Sequence, residues 1–200
     1  HAAHAPAAVC ADHDQVGAGI DQRPQHPRGV PVAAAAGMPG AASAQAKRNV
    51  LKVVPHANLQ VIDPIWTTAY STRHLALMCY DTLYGVDDAL NPHPQMAAGH
   101  VVEDDGKRWR ITLRSGLRFH DGEPVRAKDC IASLKRWCAR EPYGQLLARQ
   151  VDEWRAVDDR IIEIRLKRAF PLLLDALAKP DSSVPFIMPE RLAETDPIAV

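Results

Sequence analysis

The sequence predicts an α/β fold in which a sheet is flanked by helices. Residues Arg108–Arg114 alternate between apolar and charged or polar side chains, which is typical of a strand with one buried face. An Asp-Gly turn follows, and residues 127–138 then carry apolar side chains at helical spacing. Residues 151–166 repeat the strand pattern on both sides of an Asp-Asp pair. Together these observations predict strands that alternate with helices and share one core.

Four elements are predicted ahead of the alternating strand. Val50–Val54 reads as a first strand, and Pro55–Pro64 reads as a loop. Ala69–Leu83 is predicted to be a helix, and Asn91–Ala97 is a turn-rich crossing. The apolar face predicted for this helix consists of Leu75, Met78, Cys79 and Leu83.

The second half of the chain predicts a helix, a hairpin and a short helix. The turn is Asp121-Gly122, because glycine adopts positive φ without steric cost. Val151–Val157 and Arg160–Leu166 are expected to pair as antiparallel strands around Asp158-Asp159. A short apolar helix is expected from Phe170 through Ala178. The predicted buried stripe of the long helix is Ala127, Cys130, Ile131, Leu134, Trp137 and Cys138.

The strand, turn and long helix also carry a set of residues at fixed spacing. They are Leu113, Arg114, Gly116, Phe119, Asp121, Gly122, Pro124, Val125, Ala127, Asp129, Ser133 and Arg136. This set resembles the signature of the family 5 solute-binding proteins of ABC transporters, which include periplasmic peptide and nickel binders. Ile62-Asp63-Pro64 and Tyr80–Tyr84 resemble two further family patterns, and the resemblance extends from about Leu51 to Glu190. The chain departs from the signature at Arg126, where the family has Thr, a better helix N-cap.

The resemblance implies a fold and a function. The fold would be the first lobe, incomplete here, of a two-lobed type II periplasmic binding protein with a mixed sheet and flanking helices. The function would be to capture a peptide or a similar small solute in the periplasm and to deliver it to a membrane ABC permease. The protein would be a monomer that performs no chemistry and needs no cofactor. Family members are more than twice as long, so residues 47–200 are expected to form a truncated N-terminal lobe.

The resemblance also suggests which residues contact the ligand. In the family, the segment after the "LDP" pattern faces the cleft between the lobes, which places Thr68, Ala69 and Tyr70 near the ligand, together with Trp66. A cleft aromatic in a Pro-Tyr pair follows the signature helix, and Tyr143 matches it. The alternatives stay open that Thr68 is a helix N-cap and that both tyrosines are packing aromatics. The charged groups that fix a peptide's termini would lie in the missing half.

The first 46 residues are predicted to be a leader. Residues 1–29 are rich in Ala, His, Pro, Gln and Gly without an apolar period, which is typical of disorder. An Ala-rich run follows two arginines and ends in Ala44-Gln45-Ala46, the pattern of a secretory signal peptide cut after Ala46. No cysteine follows the small residues, so a lipid anchor is not expected. The mature protein should be soluble in the periplasm.

Charge and motif content argue against other functions. The formal net charge is +0, so no nucleic-acid-binding patch is expected. The histidines lack zinc-ligand spacing, and His120 reads as a surface residue beside a turn. No nucleophile or phosphate-loop motif is present. An exported hydrolase or metalloenzyme, or a truncated product that binds nothing, remain the rival interpretations.

The cysteines are interpreted as small buried apolar residues. Cys130 and Cys138 lie about 12 Å apart along one predicted helix, which exceeds the roughly 7 Å that a disulfide allows. A bridge from Cys79 to either of them remains open.

Overall fold

The computed structural model describes residue 52 and residues 54–198. The predicted leader, the cleavage site after Ala46, Cys10 and most of the predicted strand Val50–Val54 lie outside these residues. The helices are α1 (Tyr70–Cys79), α2 (Ala127–Arg140), α3 (Pro142–Gln150), α4 (Leu173–Leu177) and α5 (Glu190–Ala193). The strands are β1 (Tyr84–Val86), β2 (Pro92–Pro94), β3 (Ala97–Glu103), β4 (Arg108–Leu113), β5 (Val151–Ala156) and β6 (Ile161–Leu166).

The strands form two antiparallel sheets. β1 pairs with β2, and the other four strands are ordered β3-β4-β6-β5. Every strand pair within the described residues is antiparallel, whereas the family resemblance implies a mixed sheet. For two of these pairs the reason is local, because short turns join β3 to β4 and β5 to β6, and short turns connect antiparallel neighbours. The predicted hairpin of β5 and β6 is present.

The four-stranded sheet has one apolar face and one charged face. Trp109 lies opposite Ile164, and Ile111 lies opposite Ile162, so the apolar residues of β4 and β6 form a continuous buried layer. On the other face, Glu163 is almost fully buried beneath arginine side chains. The alternation in the sequence therefore predicts the two faces correctly.

Helix α2 covers the apolar face of the sheet, and its predicted stripe is entirely buried. Arg126 precedes the helix and provides no side-chain cap, because a guanidinium group has no hydrogen-bond acceptor. The carboxylate of Asp129 supplies the missing interaction, since its Oδ2 accepts the backbone N–H of Arg126 at 2.8 Å. The start of the helix is thus stabilised by the side chain of its third residue.

The prediction for α1 was wrong in two respects. The helix ends at Cys79 rather than Leu83, because Tyr80 is extended (φ −113°, ψ 161°) and the next residues enter β1. The backbone N–H of Ile187 donates to the carbonyl of Asp81 at 2.9 Å, so strand-like pairing replaces a further helical turn. The buried residues of α1 are Ser71, Thr72 and Ala76, while Met78 is 61% exposed.

Smaller differences occur at the other predicted elements. The crossing at Asn91–Ala97 contains β2, which the turn signals concealed. The helix expected between Phe170 and Ala178 is the shorter α4. The cysteines at 79, 130 and 138 are free thiols. No helix among the described residues is long and apolar enough to span a lipid bilayer.

Candidate ligand-contact site

The segment before α1 is fixed by the side chain of Asp63. Its Oδ1 accepts the backbone N–H of Ile65 at 2.9 Å, which forms a tight corner with Pro64 buried inside it. Arg136 of α2 donates to the two oxygens of the same carboxylate at 3.0 and 2.6 Å. The side chain of Arg136 is 3% exposed, so this two-point ion pair links the corner to the core helix.

Three polar residues on one side of α2 act as anchors for distant segments. Asp129 Oδ1 accepts the backbone N–H of Glu190 at 2.8 Å. The hydroxyl oxygen of Ser133 accepts the backbone N–H of Met188 at 2.9 Å, and its proton is shared between the carbonyls of Asp129 at 2.7 Å and Met188 at 3.0 Å. Arg136 completes the row at helical spacing, so the polar residues of the signature helix are structural.

Tyr70 is the first residue of α1 and is 57% exposed. The guanidinium of Arg73 lies 4.4 Å from the ring centroid, a cation–π arrangement, and the rings of His56 and His74 lie at 5.9 and 6.2 Å. Arg73 also pairs with Asp181. The tyrosine ring is therefore held in place by its neighbours while one face stays open.

Asp181 lies in the loop between α4 and α5, which contacts Arg73 of α1 and Glu141 at the start of α3. The backbone N–H of Ser182 donates to its carboxylate at 2.6 Å, and this bond, assisted by Arg73, lowers the pKa of Asp181. Lys179 donates to the Asp181 carbonyl and lies 3.4 Å from the carboxylate of Glu141. Lys179 and Asp181 thus place charges of both signs in this loop, beside the carboxylate of Glu141.

Glu141 and Tyr143 form the start of α3. Glu141 caps the helix by accepting the backbone N–H of Gly144 at 2.8 Å. Tyr143 is half-buried, its hydroxyl donates to the carbonyl of Leu172 at 3.4 Å, and burial raises its pKa. A side chain at Gly144 would meet the ring of Trp137 at 2.8 Å, so α3 begins in close contact with α2.

The structure brings four of the five predicted residues together. Trp66, Thr68, Ala69 and Tyr70 follow the Asp63 corner in sequence. Trp66 is half-buried and its indole N–H donates to the carbonyl of Ile198 at 3.0 Å, while Thr68 and Ala69 are exposed. The N-cap of α1 is Ala69, so the alternative interpretation of Thr68 as the cap was wrong.

Tyr143 stands apart from this group. The contacts that run from Tyr70 towards the start of α3 are those of Arg73, Asp181, Lys179 and Glu141. No pattern in the sequence predicts these contacts, because Arg73 and Asp181 are separated by 108 positions. Ligand contact by the five residues stays a prediction.

The described residues contain no group of three or more His, Cys, Asp or Glu side chains placed to hold a metal ion. His120 is exposed, and its Nε2 lies 3.4 Å from the Cys79 carbonyl, in line with its interpretation as a surface residue.

Comparison with known proteins gives a consistent result. Residues 91–198 match the family described as bacterial extracellular solute-binding proteins, family 5 Middle. A probable peptide ABC transporter periplasmic-binding protein of Sinorhizobium fredii is 39% identical over 180 residues, which cover 89% of this chain and 33% of the relative. The glutathione-binding protein of Salmonella typhi is 30% identical over 140 residues, covering 68% of this chain and 27% of the relative.

Solved structures agree with the fold. Haemophilus influenzae OppA in complex with RPPGFSPFR has a TM-score of 0.56 and 21% sequence identity, and the match covers 68% of this chain and 29% of OppA. The α/β fold class is confirmed by this likeness to part of a periplasmic binding protein. The chain spans about a third of the length of the Sinorhizobium relative and less of the others.

Proposed function

Because the chain belongs to the bacterial extracellular solute-binding proteins of family 5, we propose that it serves as the substrate-binding component of an ABC importer. It captures a peptide or a similar small solute and delivers it to a membrane permease. The observation that carries the proposal is the 39% identity to a peptide ABC transporter periplasmic-binding protein along 89% of the chain.

The surface from Trp66 to Tyr70 is proposed to contact the solute, with Tyr143 at its margin. An exposed tyrosine ring offers a large apolar contact at low rotamer cost. Arg73 beneath that ring and Asp181 beside it supply charges of both signs for polar groups of a peptide. The Asp63–Arg136 pair holds the segment in position, so the contact surface is formed before the solute arrives.

Solute capture by this surface requires a second wall. A typical small-molecule site buries most of its ligand, and we propose that a second lobe closes over the solute and shifts the population from open to closed. The protein acts as a monomer, performs no reaction and needs neither a cofactor nor nucleic acid. The family consists of binding proteins, and nothing among the described residues favours the hydrolase or metalloenzyme interpretation.

The place of action is proposed to be the periplasm, without a lipid anchor. The Sinorhizobium fredii relative is a periplasmic-binding protein, and the Ala-rich leader supports export. When the full chain is produced in a Gram-negative host, we expect N-terminal sequencing of the exported protein to begin at Lys47. An uncleaved product retained in the cytoplasm would contradict the proposed leader.

The binding function can be tested with a chimera. Residues 54–198 replace the matching segment of the Sinorhizobium relative, whose intact form is first screened with a tripeptide mixture to find a retained peptide. We expect the chimera to bind that peptide in calorimetry with an affinity within about tenfold of the parent, since closely related walls preserve most contacts. The parent is the positive control, and thermal melting reports whether the chimera folds.

Two results are informative. Saturable binding that Tyr70→Ala weakens would support both the function and the proposed surface. A chimera that melts cooperatively yet binds no peptide, while the parent binds, would overturn the assignment of this chain as a peptide-binding wall.

A further inference from the structure

A cavity at one end of the four-stranded sheet is surrounded by arginines. It lies where three connections meet: the turn after β4, the residues that lead into α2, and the turn between β5 and β6. Its volume is about 280 Å³. We call it the arginine cavity, and it is lined by Arg114, Ser115, Gly116, Leu117, Arg118, Pro124, Val125, Arg126, Asp159 and Arg160.

The charge of the arginine cavity is unbalanced. Its lining contains four guanidinium groups and a single carboxylate, that of Asp159. This carboxylate is 82% exposed and lies 3.9 Å from the guanidinium of Arg126, so its neutralising effect is weakened by water. The neighbouring Asp158 does not line the cavity, and its Oδ1 accepts the backbone N–H groups of residues 160 and 161 at 2.7 and 2.8 Å.

The outer face of the same sheet provides a contrast within the molecule. The arginines there face an equal number of carboxylates and pair with them. The paired residues are Arg108, Arg110, Arg155 and Arg165 with Glu103, Asp104, Glu153 and Glu163. The chain as a whole is neutral, so the excess positive charge in the arginine cavity is a local property.

Most hydrogen-bond donors of these arginines remain available. Arg118 donates one bond to the carbonyl of Gly122 at 2.7 Å. Arg160 donates to the carbonyl of Leu113 through two of its nitrogens, at 3.2 and 2.7 Å. These bonds fix the side chains but use few of the five N–H groups that each guanidinium carries. Within the described part of the chain, the guanidinium of Arg114 has no partner at all.

The backbone around the arginine cavity leaves room for a negatively charged ligand. Gly116 has φ +82° and a side chain there would meet nothing within 4 Å, so the turn leaves the mouth of the cavity open. Arg126 is the N-cap residue of the 14-residue helix α2, whose first turn carries the carboxylate of Asp129. Arg126 itself is a poor cap, so its presence at this position is better explained by its charge than by the helix.

We propose that the arginine cavity binds a phosphate group, either as a free ion or as part of a larger molecule. Guanidinium groups bind phosphate through pairs of parallel hydrogen bonds, and a dianion would balance the excess charge. The site is separate from the proposed solute surface, so its presence does not depend on the proposed function.

The test uses the full chain with inorganic phosphate as the first probe and lipid vesicles as the second. Calorimetry at constant ionic strength measures phosphate binding, and vesicles of phosphatidylglycerol or phosphatidylcholine are compared by sedimentation. The cavity variants are Arg114→Gln and Arg126→Thr. The matched control is Arg155→Gln, which removes the same charge from the outer face of the sheet.

We expect saturable binding of phosphate that each cavity variant weakens by on the order of tenfold, while Arg155→Gln leaves it unchanged. Arg126→Thr supplies a better N-cap, so loss of binding in this variant is not explained by unfolding; thermal melting verifies this. Binding to phosphatidylglycerol vesicles alone, lost in the same variants, would assign the phosphate group to a lipid. Equal effects of all three variants, or no binding of either probe, would overturn the proposal.

Discussion

Replacing Arg136 by Ala should destabilise the protein and loosen the segment that carries the candidate site. The guanidinium donates two hydrogen bonds to Asp63 and one to the carbonyl of Thr195, at 3.3 Å. Its side chain is almost fully buried. The substitution therefore removes three bonds and leaves the carboxylate of Asp63 with only backbone partners.

The expected magnitude follows from the burial of the two partners. Breaking a buried ion pair costs about 3–5 kcal/mol when the remaining charge stays away from water. The side chain of Asp63 is 30% exposed, so water solvates part of the stranded carboxylate. We therefore expect a loss of about 2–3 kcal/mol in the free energy of unfolding.

Urea unfolding followed by tryptophan fluorescence measures this loss, provided that the denaturant slope stays constant. Arg191→Ala is the matched control, because Arg191 also pairs with an aspartate, Asp121, but on the surface. The stability of this variant should stay close to that of the wild type. If the free energy of unfolding of Arg136→Ala lies within about 0.5 kcal/mol of the wild-type value, the anchoring role of this pair is refuted.

Three further results are expected. In the chimera, Tyr70→Ala and Tyr143→Ala should weaken peptide binding with little change in melting temperature, whereas Trp109→Ala should cost roughly 3–5 kcal/mol in stability; early melting with normal binding would make both tyrosines packing residues. Calorimetry of residues 47–200 alone with a tripeptide mixture should show no saturable binding, and micromolar affinity would contradict a site that needs a second wall. Finally, hydrogen bonds from neighbouring arginines lower the pKa of Glu163, so the stabilising effect of its carboxylate is present at neutral pH and is lost as the pH falls through that lowered pKa. The difference in unfolding free energy between the wild type and Glu163→Gln should therefore shrink in acid. A difference that does not depend on pH would contradict this.

The elements that the sequence predicted well are those with a regular pattern. β4 alternates strictly, and the stripe of α2 repeats at helical spacing, so each pattern has one interpretation. Both elements lie in the core, where burial enforces the pattern. The family resemblance rested on the same stretch and is confirmed by the match to residues 91–198.

The errors occurred where distant contacts decide the structure. Met78 fits an apolar helical face by spacing, but the core on that side is made by Thr72 and Ala76, and no local rule favours these two smaller residues. β2 contains two prolines, which are typical of turns, and it forms because β1 offers an edge. The pairing of Arg73 with Asp181 likewise depends on the complete fold, so the polar half of the candidate site could not be predicted.

Residues 54–69 contain no helix or strand, and the hydrogen bonds that hold them to the core have a kinetic consequence. The bonds that hold this segment join Asp63 to a residue 73 positions away, and Trp66 to residues 74 and 132 positions away. Contacts between distant positions form late in folding, because the chain must first lose the entropy of closing the loop between them. The segment should therefore add to a core that is already assembled and should open again at a lower free energy than α2. In native-state hydrogen exchange, the amide of Ile65 would then lose its protection before those of the helix, and the stretch proposed to meet the solute would be the first to move.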